Sequence, residues 1–88
     1  MDRIILPSGK TYNAKYAADS VATGNFVAHL YADDLPQIVM DFTGADPIVV
    51  ENPDVGRFVY TGYSRIIRMR EEDGGYVITL AREKEEGT

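Results

Sequence analysis

A β-dominated α+β fold is what this chain predicts: an antiparallel bent sheet or partly closed barrel carrying one short helix. Three observations predict it. Residues 57–82, RFVYTGYSRIIRMREEDGGYVITLAR, read as two long strands meeting at Asp73-Gly74, a dipeptide suited to the positive φ angles of a type I′ turn. Upstream, short runs of strand-forming residues are separated by turn residues at close spacing. One segment alone, Leu35, Ile38, Val39 and Phe42, repeats at i, i+3, i+4 and i+7, the stripe of an amphipathic helix.

Taken in order, Arg3 to Leu6 and Lys10 to Tyr16 flank Pro7-Ser8-Gly9 and predict a hairpin, because proline presets φ and glycine accepts positive φ. Ala17 to Gly24 is small and polar and reads as a loop, with a brief extended piece at Val21. Asn25 to Tyr31 sets Phe26, Ala28 and Leu30 against Val27, His29 and Tyr31. Both sets hold large apolar groups, so this strand is expected to be central or covered on both sides.

The helix is expected over residues 34–43, with Asp33 or Asp34 as N-cap, Pro36 in the first turn and Thr43-Gly44 as the stop. Its stripe should dock on the sheet, since so short a helix does not stand alone. Pro47 and Pro53 bracket a strand at Ile48 to Glu51, and Asn52 to Gly56 turns the chain into the final hairpin. Counting from Asp73-Gly74 pairs Glu71 with Tyr76, Met69 with Ile78 and Ile67 with Leu80 on one face. The other face pairs Arg70 with Val77, Arg68 with Thr79 and Ile66 with Ala81. A bulge or kink near Gly62 would bring Phe58 and Tyr60 to the same face as Tyr63, Ile67 and Met69. The predicted order is β-β-β-α-β-β-β, in one domain over 1–83, with a frayed acidic tail at 84–88.

Composition narrows function more than it names it. Hydrophobic residues at 44% suffice for a packed core, but a chain of 88 residues has a thin stability margin. With no Cys and one His, it has neither disulfides nor the usual transition-metal ligand sets, so subunit contacts are the expected supplement. No apolar run approaches a signal peptide or membrane span, which predicts a protein that is cytoplasmic when synthesised and makes no membrane contact. A net charge of −5 opposes general affinity for nucleic acid. The charge is sorted along the chain. Residues 17–56 hold seven acids and no Lys or Arg, whereas 57–70 hold Arg57, Arg65, Arg68 and Arg70 and no acid. This sorting reads first as neighbouring strands neutralising each other across the sheet, and otherwise as a two-ended surface favouring ordered self-assembly.

Catalysis has little to stand on. His29 has no Ser or Cys at a telling spacing, and it reads as a satisfied or solvent-facing strand residue. Asp33-Asp34 is better explained by helix capping than by acid-base or metal work. GADP and DGG lack the spacing and the Lys-Ser/Thr pair of a phosphate loop. Tyr60, Tyr63 and Tyr76 could stack bases or sugars, but tyrosine is a strand former with a polar tip, and they are better read as part of the strand core, its edge or an interface. The expectation is therefore a chain with no catalytic residues, no metal and no cofactor.

An opening IILPSGKTY, then YTGYSRIIRM and a closing GGYVITLARE, are similar to small prophage proteins encoded among tail and baseplate genes of Gram-positive gut bacteria. The likeness rests on Leu-Pro-Ser-Gly and Tyr-Thr-Gly-Tyr and covers most of the chain. It implies a structural or assembly role in a phage tail, with virion association as one destination, and transfers no active site. Together with the sorted charge, it makes the expected partner another copy of this chain or another tail-type structural protein. The expected interface residues are Val27, Tyr31, Val49, Arg68 and Arg70. The alternative is a small binding module that uses a Tyr/Arg sheet face for carbohydrate or single-stranded nucleic acid.

Overall fold

The computed structural model describes residues 1–82, so the tail expected to fray, 84–88, lies outside the described residues. Seven strands and one helix follow in the order β1 (Asp2–Ile5), β2 (Thr11–Asp19), β3 (Phe26–Leu30), α1 (Leu35–Phe42), β4 (Ile48–Asn52), β5 (Gly56–Tyr60), β6 (Arg65–Glu72) and β7 (Gly75–Ala81). All seven strands belong to one antiparallel sheet, ordered β5-β4-β1-β2-β3-β7-β6. The predicted β-dominated α+β bent sheet is therefore the fold. In space the sheet consists of three sequence-local blocks: the β4–β5 hairpin, the β1–β2–β3 meander and the β6–β7 hairpin.

The sheet is open, not a barrel, and strand parity explains why. Each of the seven strands runs opposite to its neighbours, so the edge strands β5 and β6 point the same way. Closing the sheet would require a parallel β5–β6 pair, whose crossover takes a dozen or more residues. Only Thr61–Ser64 joins them. The single long strand expected on either side of Gly62 is accordingly two strands at opposite edges, which adds one strand to the predicted order. Gly62 has φ +85, and its N–H donates to the Asp46 carboxylate at 3.0 Å, so the chain leaves the sheet there and not through a bulge.

Inner-face side chains form the core: Ile4, Phe26, Leu30, Ile48, Ile78 and Leu80 from the strands, with Ile38 and Phe42 from α1. Of the predicted helical stripe, only these last two are fully buried. Leu35 is half-buried and Val39 is exposed, because eight residues laid on a curved sheet touch it along a narrow i, i+4 line. Asp34 caps the helix by accepting from the Gln37 N–H, with Pro36 in the first turn as expected. At the other end Gly44 has φ +75, and its N–H donates to the Ser64 carbonyl.

The C-terminal hairpin keeps its predicted register from the turn as far as the Arg68–Thr79 pair. Asp73 at φ +46 and Gly74 at φ +76 supply the expected turn. Beyond Arg68 a bulge shifts the ladder, so Ile66 pairs with Leu80 and Arg65 with Ala81; Ile67 is squeezed out to solvent. The first hairpin also departs from expectation. β2 continues to Asp19, with its own register shift at Lys15, and Val21 lies fully exposed in the following turn.

Candidate interaction surfaces

Polar chemistry on the inner side locks elements together. Asp41 on α1 accepts hydrogen bonds from the Tyr12 hydroxyl and from Gln37 Nε2, and pairs with Lys10 Nζ at 2.9 Å. Burial pushes the Asp41 carboxyl up, but these three partners outweigh it and hold the group below its ordinary value. Burial, reinforced by Asp41, raises the Tyr12 phenol well above its ordinary value. The Tyr12 ring also packs 5.2 Å from Phe42, so α1 is tied to β2 by a polar bond and an aromatic contact together.

A second cluster closes the sheet's inner side where β5 passes to β6. Phe26 meets Tyr60 at 5.1 Å and Tyr63 at 6.0 Å, and Arg82 stacks 4.6 Å over Tyr63. Burial, then Asp19, Asp2 and Tyr63, raise the Tyr60 phenol. Tyr60 and Tyr76 pack on the core from strands, whereas Tyr63, expected in a strand, is buried from the connection between β5 and β6. Among the described residues no group of three His, Cys, Asp or Glu side chains is placed to hold a metal.

The outer face carries the side chains singled out from the sequence. Register places Ala18, Val27, Thr79 and Arg68 in one row across β2, β3, β7 and β6, and Tyr16, His29, Val77 and Arg70 in the next. Val27, Tyr31, Arg68 and Arg70 thus share one half of this face. Val49 does not join them. It stands between Ile5 and Val59 on the other half, separated from Val27 by β1 and β2. Val27 and Val49 are half-buried, whereas Tyr31, Arg68 and Arg70 are exposed.

His29 is neither solvent-facing nor fully satisfied. It is 1% exposed, held between Tyr16 and Tyr31 with ring centroids 5.8 Å away on either side. Its Nε2–H donates to the Glu72 carbonyl at 2.8 Å, which fastens the tip of the last hairpin to β3. Among the described residues Nδ1 has no hydrogen-bond partner, and it lies 4.0 Å from the Glu72 carboxylate. That carboxylate is held below its ordinary value by its hydrogen bond from Arg70. Strand alternation puts His29 on the outer face, but only the flanking tyrosine rings explain why it is covered there.

The two sheet edges differ in kind, and sequence reading missed this because it merged them into one strand. β6 carries Arg65, Arg68, Arg70, Glu71 and Glu72 among eight residues, and its ladder is bulged; both features discourage strand addition. β5 carries one charge, Arg57, and pairs with β4 through five consecutive positions without a shift. Phe58, expected on one face with Tyr60, Tyr63 and Met69, is 42% exposed because it sits on this edge, and Val59 is 57% exposed.

No family model matches the chain, and no curated protein or solved structure is significantly similar to it. Among the described residues no helix is long and apolar enough to cross a membrane.

Proposed function

We propose that this chain is a non-enzymatic structural or assembly module that works by associating with copies of itself or with similar structural proteins. The observation that carries this reading is the uncovered outer face. The helix covers only the inner side, leaving Tyr16, Tyr31 and Val59 exposed beside half-buried Ile5, Val27 and Val49. Such apolar surface on so small a domain is suited to burial against a neighbour. The well-placed polar groups support the non-enzymatic part, since Asp41, Tyr12 and His29 are engaged in holding strands and helix together. A phage tail is the setting that the resemblance of the opening and closing segments implies, with the virion as a possible destination.

Light scattering across a range of protein concentrations, at low and high salt, tests the reading. Association that rises with concentration is expected. If Arg68 and Arg70 contact an acidic neighbour, screening should weaken it, and R68E/R70E should do the same. A chain that stays monomeric at every concentration overturns the proposal.

A second reading is favoured by one arrangement. Tyr16 and Tyr31 flank His29, and the same row continues through Val77 to Arg70, which is paired with Glu72, so this sheet face combines aromatic rings with a partly neutralised guanidinium. Such a face stacks bases or sugars. Titration of the monomer with single-stranded oligonucleotides and with oligosaccharides, following tyrosine fluorescence, separates this reading from the first.

A further inference from the structure

The outer-face row Ile5–Val49–Val59 crosses β1, β4 and β5 and ends at the edge of the sheet. Exposure rises along it, from half-buried Ile5 and Val49 to Val59, so the aliphatic stripe runs off the sheet with nothing beyond it among the described residues. Among the described residues β5 has only β4 as a ladder partner, so the backbone beside the stripe offers its outer side for hydrogen bonding. Of the ordinary devices that blunt an edge, Gly56–Tyr60 carries a single charge, Arg57, and has no proline, no lysine and no bulge.

We propose that β5 is the contact between two copies of this chain, paired antiparallel to itself about a two-fold axis at Val59. This names one contact for the self-association reading and rests on it; the contact extends the β1–β4–β5 half of the outer face and does not cover the half that holds Val27 and Tyr31. The register follows from the stripe. Val59 against Val59 of a second copy joins the two rows into one continuous band, Ile5–Val49–Val59 meeting Val59–Val49–Ile5. The same pairing sets Phe58 opposite Tyr60 twice, a cross-strand aromatic pair, and Arg57 opposite Thr61, so no like charges face each other. A second copy suits the site because an antiparallel edge pair is self-complementary under two-fold symmetry. The blunted β6 edge then stops growth at two, and the result is a closed dimer with no filament. Only Phe58–Tyr60 pair within β5 itself, with Arg57 opposite Thr61 flanking them. So short a ladder buries less than the roughly 1,200 Å² of a standard stable interface, so the dimer should be weak and strongly concentration-dependent.

The chain has no cysteine, which makes a cross-linking test clean. Val59→Cys puts two thiols on the two-fold axis, whereas Ile67→Cys puts a thiol at a comparably exposed position on the opposite edge. Under mild oxidation Val59→Cys should form covalent dimer at least about tenfold faster than Ile67→Cys, because pairing raises the local thiol concentration. Equal rates overturn the proposal. In parallel, Val59→Lys sets like charges against each other at the axis and should abolish dimer in light scattering, with the circular dichroism spectrum unchanged. Association that survives Val59→Lys overturns the β5 contact but leaves self-association standing. A wild-type chain that is monomeric throughout overturns both.

Discussion

A Cβ placed on Gly75 would lie 1.9 Å from the carbonyl oxygen of Leu30. The last hairpin is therefore seated against the end of β3 by direct backbone approach, alongside the His29 hydrogen bond to Glu72. The neighbouring glycine has a different reason to be there. Gly74 faces open space but adopts φ +76 in the turn. Two adjacent glycines thus answer two separate constraints, steric at 75 and conformational at 74.

Gly75→Ala should consequently cost about 3 kcal/mol or more, since the obstacle is backbone and not a flexible side chain. Gly74→Ala should cost only about 1–2 kcal/mol, the ordinary penalty for a left-handed residue, and Gly74→Val somewhat more. Urea denaturation midpoints of the three variants check the order. A Gly75→Ala protein as stable as wild type would mean that the hairpin does not seat on β3.

The helix offers a contrast between two apolar residues three positions apart. Phe42 is fully buried against Tyr12, and Phe42→Ala should cost about 3–5 kcal/mol. Val39 is exposed, and Val39→Ala should change stability by less than about 0.5 kcal/mol. Comparable losses at both positions, measured by thermal or chemical denaturation, would show the helix rotated from its described face.

Asp41 should make folding acid-sensitive. Its folded-state carboxyl titrates below its ordinary value of 3.8, so its contribution is full above the unfolded value and is lost as pH falls through the folded one. Asp41→Asn should lower stability by about 1–3 kcal/mol near neutrality, by loss of charged hydrogen bonds, and flatten the decline below about pH 4. Denaturation at several pH values reads both effects.

The bulge in β6 separates Ile66 from Ile67. Ile66 pairs opposite Leu80 and packs on the core, whereas Ile67 is exposed. Ile66→Ala should cost about 2 kcal/mol or more and Ile67→Ala less than about 0.5 kcal/mol. Had the ladder continued unshifted, the larger loss would fall at Ile67, so the pair measures the register.

Much of the fold was legible because local chemistry specified it. Asp73-Gly74 set the turn and its register, and Asp34, Pro36 and Gly44 bounded the helix. What could not be read locally depended on distant partners. The even set Phe58 and Tyr60 and the odd set Tyr63 and Met69 signalled a change of parity near Gly62. Whether that meant a bulge or a strand end was settled by Asp46, sixteen residues away. The surface was harder. Arg68 and Arg70 lie on the outer face, as the hairpin register implied, whereas Val27 sits in the same row as Arg68 because β3 lies beside β7, a neighbour relation with no local trace. Val49 fell elsewhere because the spatial order of strands, with β4 beside β1, leaves no local trace. The bare edge at β5 was invisible for the same reason, since edge status belongs to the sheet and not to any segment.

The three-block layout of the sheet also bears on how the chain folds. Within each block every ladder joins consecutive strands, so each can form with little loop to close. Only two seams, β1 with β4 and β3 with β7, link residues far apart in sequence. The central meander is then a template on which two ready-made hairpins dock from opposite sides. The docking of these hairpins is expected to set the folding rate. Substitutions at Val50 and Ile78, on those seams, should slow folding, while changes near the outer edge of β5 should mainly quicken unfolding.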